Sequence, residues 1–417
     1  MDPATLARHT LLELTLVLGV GVACAAIARR IDLPDIVLYL IVGMLLGPAG
    51  AGWLTISAGS AANQAILVFG AAYLIFDGGA TLRWRVLREV WISVVSLATV
   101  GVAISIAVVG AAGWLWGLPL LTAVLIGCCL SSTDPATLVP IFKQVPIRPR
   151  LAQTVTAESA FNDASGAIAT LTVAALALGE AVGSPLALTA ELAVDAGGGI
   201  AFGVLCGALF LGLVSPQRLG IFAGFAPVGK MVAVLLSYLG AEHLGVSGFM
   251  AVFVLGIMVG NRMALGASFS EQDVEAFESF LTTLAVILRI LVFVLLGSQI
   301  DFDLLAEYWL AGLVLVLVLM FVARPLVVLV CCAPDRRARW TQRELLFMCW
   351  TRETGVIPAA LAGMLLGMGV PGARAVGATV LMAILLTILI QASSTRWLAA
   401  RLGLLEPVDE GGSHPPC

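Results

Sequence analysis

Ser131-Ser132-Thr133-Asp134-Pro135 interrupts an apolar run long enough to cross a bilayer, and Glu158-Ser159-Ala160-Phe161-Asn162-Asp163 sits inside the next such run. A carboxylate at the centre of a spanning segment costs about 2.5–3.5 kcal/mol on insertion scales. Three of them, Asp134, Glu158 and Asp163, in neighbouring runs point to an ion or proton pathway. Asp163 is the candidate ion- and proton-binding carboxylate of a secondary transporter. Its neighbours Ala160, Ala164, Ser165 and Gly166 are small and leave room for an ion.

Composition agrees with that reading. Hydrophobic residues make up 60% of the 417, charged residues 12%, and the mean hydropathy is +1.05. Soluble domains hold about 45–50% apolar and about 25% charged residues. Apolar windows of spanning length recur along nearly the whole chain, which marks an all-α polytopic membrane protein. The eight cysteines show no C-x-x-C and no metal spacing, and read as buried, inert thiols. Arg29-Arg30 follow the first apolar run instead of preceding it, against a cleavable signal peptide. The polar tail 406–417 reads as a disordered cytoplasmic segment.

Thirteen spans are expected, near residues 11–28, 35–50, 65–80, 90–115, 120–139, 151–178, 186–214, 221–239, 246–260, 277–297, 304–332, 345–368 and 376–398. The basic residues test this division independently. Arg29 and Arg30, then Arg83, Arg85 and Arg88, then Lys143, Arg148 and Arg150 fall in odd-numbered connections. So do Arg218, Arg262, and the group Arg336, Arg337, Arg339 and Arg343, while Arg396 and Arg401 follow at the C-terminal end. Only Arg8 and Arg374 lie on the other side. The positive-inside rule then predicts an external N-terminus and a cytoplasmic C-terminus, hence an odd number of spans.

Two spans are expected to be broken. Asp134-Pro135 divides the fifth, with Pro140 beyond, because proline lacks a backbone donor and fits best in the first turn of a new helix. Thr351-Arg352-Glu353-Thr354-Gly355 forms a polar island in the twelfth, ahead of Pro358. Paired interruptions point to a transporter's site, since half-helix ends bring dipoles to mid-membrane. Thr133, Ser159 and Asn162 are candidate oxygen donors to a monovalent cation bound at Asp163. Asp134 either stabilises the unwound backbone through helix-end dipoles or joins the ion site. Glu158 lies about 140° round the helix from Asp163 and so faces a different neighbour. Arg352 is its expected partner in a buried ion pair, with Glu353 competing for the same arginine. Arg324 and Arg289 are expected to make structural pairs and, with Glu353, are possible modulators of ion preference or pH response, and Lys230 is expected to snorkel from the end of its span.

Several stretches together resemble the monovalent cation/proton antiporters, in the sodium/proton exchanger branch that carries an Asn-Asp pair. They are Leu33-Pro34 through Leu40-Ile41-Val42-Gly43-Met44-Leu45-Leu46-Gly47-Pro48, Leu74-Ile75-Phe76-Asp77-Gly78-Gly79, Ser132-Thr133-Asp134-Pro135, and Glu158-Ser159 with Asn162-Asp163. Leu244-Gly245-Val246-Ser247-Gly248, Gly256, Gly260-Asn261 and Arg324-Pro325 complete the set. The resemblance implies an inverted repeat, roughly 11–178 and 221–398, with two crossing broken helices. It implies interleaved core and dimerisation subdomains within one unit over 1–405, and a homodimer. It also implies that Asp163 binds ion or proton, with Thr133 and Ser159 nearby and Glu158 paired to Arg352. One departure stands out. Many members carry Gly-Ala after the arginine of the twelfth span, where this chain has Glu353-Thr354-Gly355.

The expected function is antiport of a monovalent cation (Na+ first, Li+ or K+ also open) against protons in a bacterial inner membrane, electroneutral at one for one. One carboxylate holds a cation or a proton but not both, and either ligand neutralises it for the crossing. No enzyme, cofactor or nucleic-acid partner is expected, because no histidine or metal constellation lies in the spans. The alternative is a proton-coupled carrier of a small organic solute, which would want a larger polar or aromatic-lined site.

Overall fold

The computed structural model describes residues 3–31, 33–56, 60–133, 142, 147–179, 185–222, 224–269 and 271–405. Asp134, Pro135, Pro140, Lys143 and the tail 406–417 lie outside them.

Each expected span coincides with helix among the described residues. In chain order these are α1 (Pro3–Ile31), α2 (Asp35–Leu46), α3 (Ala61–Thr81), α4 (Trp84–Leu115) and α5 (Leu120–Ser131). Then follow α6 (Pro149–Ala177), α7 (Pro185–Val214), α8 (Ala226–His243), α9 (Gly248–Gly260) and α10 (Glu271–Ser298). The chain closes with α11 (Phe302–Cys331), α12 (Gln342–Trp350), α13 (Val356–Gly367) and α14 (Ala373–Leu402). Seven helical segments among the described residues are long and apolar enough to cross a membrane, and shorter apolar helices lie between them.

Local chemistry sets the boundaries. Ser60, Ser247 and Asp301 accept backbone N–H groups at the starts of α3, α9 and α11, the usual N-cap role. Thr341 and Glu344 form a reciprocal capping box at the start of α12. Pro149 occupies the first turn of α6, where its missing donor is harmless. Turns of π-helix at Leu97–Gly101 in α4 and Leu319–Ala323 in α11 lie where those two helices pack together.

Two of the closest helix pairings are α3 along α9 and α2 along α10. Glycines make both seams. A Cβ on Gly256 would overlap the Phe76 carbonyl and one on Gly260 the Ala80 carbonyl, while one on Gly43 would overlap the Val294 carbonyl. Backbones therefore touch directly, as small-residue seams allow in lipid.

Two charged residues of this bundle differ in how they meet expectation. Arg289 pairs with Asp35 at 3.6 Å, which is the structural role foreseen. Lys230 does not snorkel. It is fully buried, donates to the Tyr73 hydroxyl at 3.0 Å, and its ammonium lies 4.7 Å and 4.6 Å from the Tyr73 and Phe76 ring centres. Two aromatic faces on α3 give the cation a local partner, so it has no need to reach for water.

Candidate ion-binding site

α5 ends at Ser131, and Ser132 is extended at φ −75°, ψ 144°. The downstream Asp134-Pro135 bars the helix from continuing. The freed backbone must find partners away from water, and α6 supplies them. The Thr133 N–H donates to Asn162 Oδ1 at 3.1 Å, and Asn162 Nδ2 donates to Thr133 Oγ1 at 2.9 Å. Thr133 Oγ1 also lies 2.6 Å from Ser159 Oγ. Ser159, Asn162 and Asp163 occupy one side of α6 because they are three and four residues apart. The Asn162 amide, expected as an ion donor, spends both ends as a clasp on the break.

Asp163 is fully buried and accepts a hydrogen bond from the Ser132 hydroxyl. Ser132 was not singled out from the sequence, although it lies in the interrupting stretch. The signal was available in principle: the first extended residue after a half-helix turns its side chain toward the neighbouring helix. Asp163, Ser132, Thr133 and Ser159 thus bring one carboxylate and three hydroxyls together at the break. Oxygen donors of this kind suit a hard cation. Asp134, the remaining expected member, lies outside the described residues.

The expected Glu158–Arg352 pair is replaced by Glu158–Arg324. Arg324 embraces both Glu158 oxygens, with Nη2 3.0 Å from Oε2 and Nη1 on Oε1. The same guanidinium donates from Nε to the Met348 carbonyl at 2.8 Å and from Nη2 to the Thr351 carbonyl at 3.2 Å. Those carbonyls belong to the C-terminal end of α12, which lacks intrahelical donors. Arg352 turns the other way and donates to the Leu130 carbonyl in the last turn of α5. Each arginine therefore caps the C-terminal end of one half-helix, where the helix dipole favours a cation. Glu158 falls to Arg324 because the α11 arginine already faces α12 and offers its planar fork to a carboxylate. Glu353 is fully buried beside Arg352 in the second break.

A cavity of about 930 Å³ reaches toward this site from the face opposite the arginine-rich connections. Gln64, Tyr238, Glu242 and Ser247 line it, and Ala167 and Ile357 border it nearest the breaks. Ala167 is one helical turn beyond Asp163 on α6. On the arginine-rich side a pocket of about 200 Å³ is lined by Thr81, Ile147, Gln153 and Thr156. Below the site, Phe161 of α6 meets Phe253 of α9 edge-on with ring centres 5.5 Å apart. The Arg83 N–H donates to Gln153 Oε1 at 3.1 Å, closing α6 onto the end of α3.

Comparison with known proteins was made on this geometry. Residues 16–401 match the family model described as sodium/hydrogen exchanger, transmembrane. A probable Na(+)/H(+) antiporter 2 of Methanocaldococcus jannaschii is 32% identical over 362 residues, which covers 84% of this chain and 83% of that protein. A K(+)/H(+) antiporter NhaP2 of Shewanella sp. is 28% identical over 393 residues, or 94% of this chain and 66% of that one. The structure of the sodium proton antiporter MjNhaP1 from M. jannaschii at pH 8 superposes with a TM-score of 0.74 at 28% identity. That match covers 94% of this chain and 99% of the other.

Proposed function

Because the chain belongs to the sodium/hydrogen exchanger family, we propose that it exchanges a monovalent cation for protons by alternating access at Asp163. The observation that carries this reading is a fully buried carboxylate among three hydroxyls, at the point where α5 breaks. Burial makes the empty, charged site costly to move, whereas a bound cation or proton neutralises it. An empty carrier therefore stays where it is, and only exchange completes a cycle.

Na+ is the first choice of cation, on the strength of the antiporters of M. jannaschii. K+ is the second, favoured by the Shewanella relative. With the arginine-rich connections in the cytoplasm, the large cavity opens outward and the small pocket inward. Asp163 is fully buried, and the large cavity comes within one helical turn of it at Ala167. Asn162 supports a single exchanged charge, because its amide holds the break and adds no titrating group. We place the protein as a homodimer in a bacterial cell membrane.

The test is a cation panel in proteoliposomes carrying an internal pH dye. Addition of Na+ should drive proton movement with the parent protein and none with Asp163→Asn. Undiminished movement with purified, folded Asp163→Asn would overturn the assignment.

A further inference from the structure

The two broken spans place a carboxylate in the same register. α5 ends at Ser131 and α12 at Trp350, and the third residue past each end is acidic, Asp134 in one and Glu353 in the other. The second positions differ, with Thr133 in the first break and Arg352 in the second. Glu353 thus stands at the same offset in the second break as Asp134 in the first, with a cation beside it.

The segment that carries Glu353 cannot turn it toward water. The Thr351 N–H donates to the Phe347 carbonyl at 2.9 Å, and the Thr354 N–H donates to Thr387 Oγ1 of α14 at 3.1 Å. Arg352 is 3% exposed and Glu353 0%. The two side chains interact electrostatically, and Arg352 is held in turn by the Leu130 carbonyl. Leu130 is two residues from Ser132, no more than about 7 Å of chain, and Ser132 holds Asp163. The guanidinium therefore lies close enough to act on the ion site.

The charges around the crossing can be balanced group by group among the described residues, Asp134 lying outside them. α6 contributes Glu158 and Asp163, α11 contributes Arg324, and the break itself contributes Arg352 and Glu353. α14 offers only the uncharged Thr387 and Gln391, and α5 its carbonyl end. Glu158 and Arg324 cancel each other. Without Glu353, the guanidinium of Arg352 would offset Asp163 and leave a cation little to bind.

We propose that Glu353 sets the cation affinity of the exchange site by cancelling Arg352, so that among these residues Asp163 alone carries an uncompensated charge. This rests on the exchange reading above and adds a residue to it. Glu353 acts through Arg352 and is a positioning residue in that sense.

The experiment measures Na+-driven exchange in proteoliposomes at a pH alkaline enough for proton competition to be small. Glu353→Gln should raise half-saturating Na+ about tenfold while the maximal rate stays within about threefold. That is the scale of one charge roughly 10 Å away at an effective dielectric constant of about 20. Glu353→Asp keeps the charge and should stay within about threefold of the parent half-saturation. Glu353→Gln with Arg352→Gln removes both charges and should return half-saturation toward the parent. A Glu353→Gln half-saturation within twofold of the parent, or a double variant shifted as far as the single, overturns the proposal. Should Glu353→Gln fail to fold, the double variant decides on the same criterion. Asp163→Asn runs alongside. If it still exchanges, the exchange reading fails; if it is inactive while Glu353→Gln is unshifted, only the role of Glu353 fails.

Discussion

Arg324 holds Glu158 through both guanidinium nitrogens and, with the same group, caps the Met348 and Thr351 carbonyls at the end of α12. One residue of α11 thus fastens α6 to the first half of the broken twelfth span. Loss of either partner strands a charge in the membrane interior, at a cost of about 3–5 kcal/mol. Glu158→Gln and Arg324→Gln should each lower the melting temperature of the purified protein, and the double variant should melt above the worse single. Strictly additive losses would show that the two do not act as a pair.

Ser132 donates to Asp163, the proposed ion-binding carboxylate. Ser132→Ala removes that donor and one candidate oxygen ligand while leaving the fold unburdened by bulk. A hydrogen bond to a charged group contributes about 1.5–3 kcal/mol, so half-saturating Na+ at neutral pH should rise about tenfold or more. Dequenching of a pH dye against a Na+ series measures it, and an unchanged half-saturation would remove Ser132 from the site.

Exchange should be electroneutral. A cycle moving one net charge would gain or lose roughly 2.3 kcal/mol per 100 mV, about fiftyfold in equilibrium distribution. A potassium diffusion potential set with valinomycin, at matched pH and a fixed Na+ gradient, should leave the sustained pH gradient unchanged. A clear shift would mean that a second group titrates during turnover.

Asp335 gives the arginine-rich side an acid-sensitive joint. It accepts from Ser93 Oγ at 2.6 Å and from the Arg337 and Ala338 N–H groups at 2.9 Å and 3.1 Å. Ser93 accepts in turn from Trp340 Nε1 at 2.8 Å. Burial pushes the Asp335 carboxyl up, but these hydrogen bonds outweigh it and hold the group below its ordinary value. A depressed carboxylate stabilises the fold above its unfolded pKa and loses that contribution as pH falls through the folded value. Asp335→Asn should therefore be less stable than the parent at neutral pH, by roughly 1–3 kcal/mol. The gap should begin to narrow below about pH 4, near the unfolded aspartate value, and shrink further as the pH falls toward the folded one. Paired melting curves from pH 7 to pH 3 check this, and a gap that does not narrow with acid would rule it out.

Much of this was legible from residue order alone. Long apolar runs and the sorting of arginines gave the spans, since lipid leaves the backbone few other solutions. The breaks were visible because Asp134-Pro135 and the Thr351–Gly355 island have no business in an uninterrupted span. Partner choice was not legible. Arg324 and Arg352 both sit in spans, and which one meets Glu158 depends on the rotation of α11 against α12. Lys230 was misread for a similar reason. Its distance from the end of α8 was plain, but the Tyr73 and Phe76 faces that receive it lie on α3, far away in sequence. Ser132 shares the difficulty, since its contact exists only because α5 unwinds beside α6.

The glycine seams have a mechanical consequence. Where the Phe76 and Ala80 carbonyls sit in notches at Gly256 and Gly260, no cushion of side chains separates the two backbones. A shear of one residue along the axis, about 1.5 Å, would drive each carbonyl out of its notch and against a flanking Leu255, Ile257 or Val259. The seam at Gly43 and Gly297 has the same direct backbone contact, with the Val294 and Leu40 carbonyls in the notches. Backbone contact therefore resists sliding within either helix pair, so relative movement costs less at joints elsewhere in the molecule.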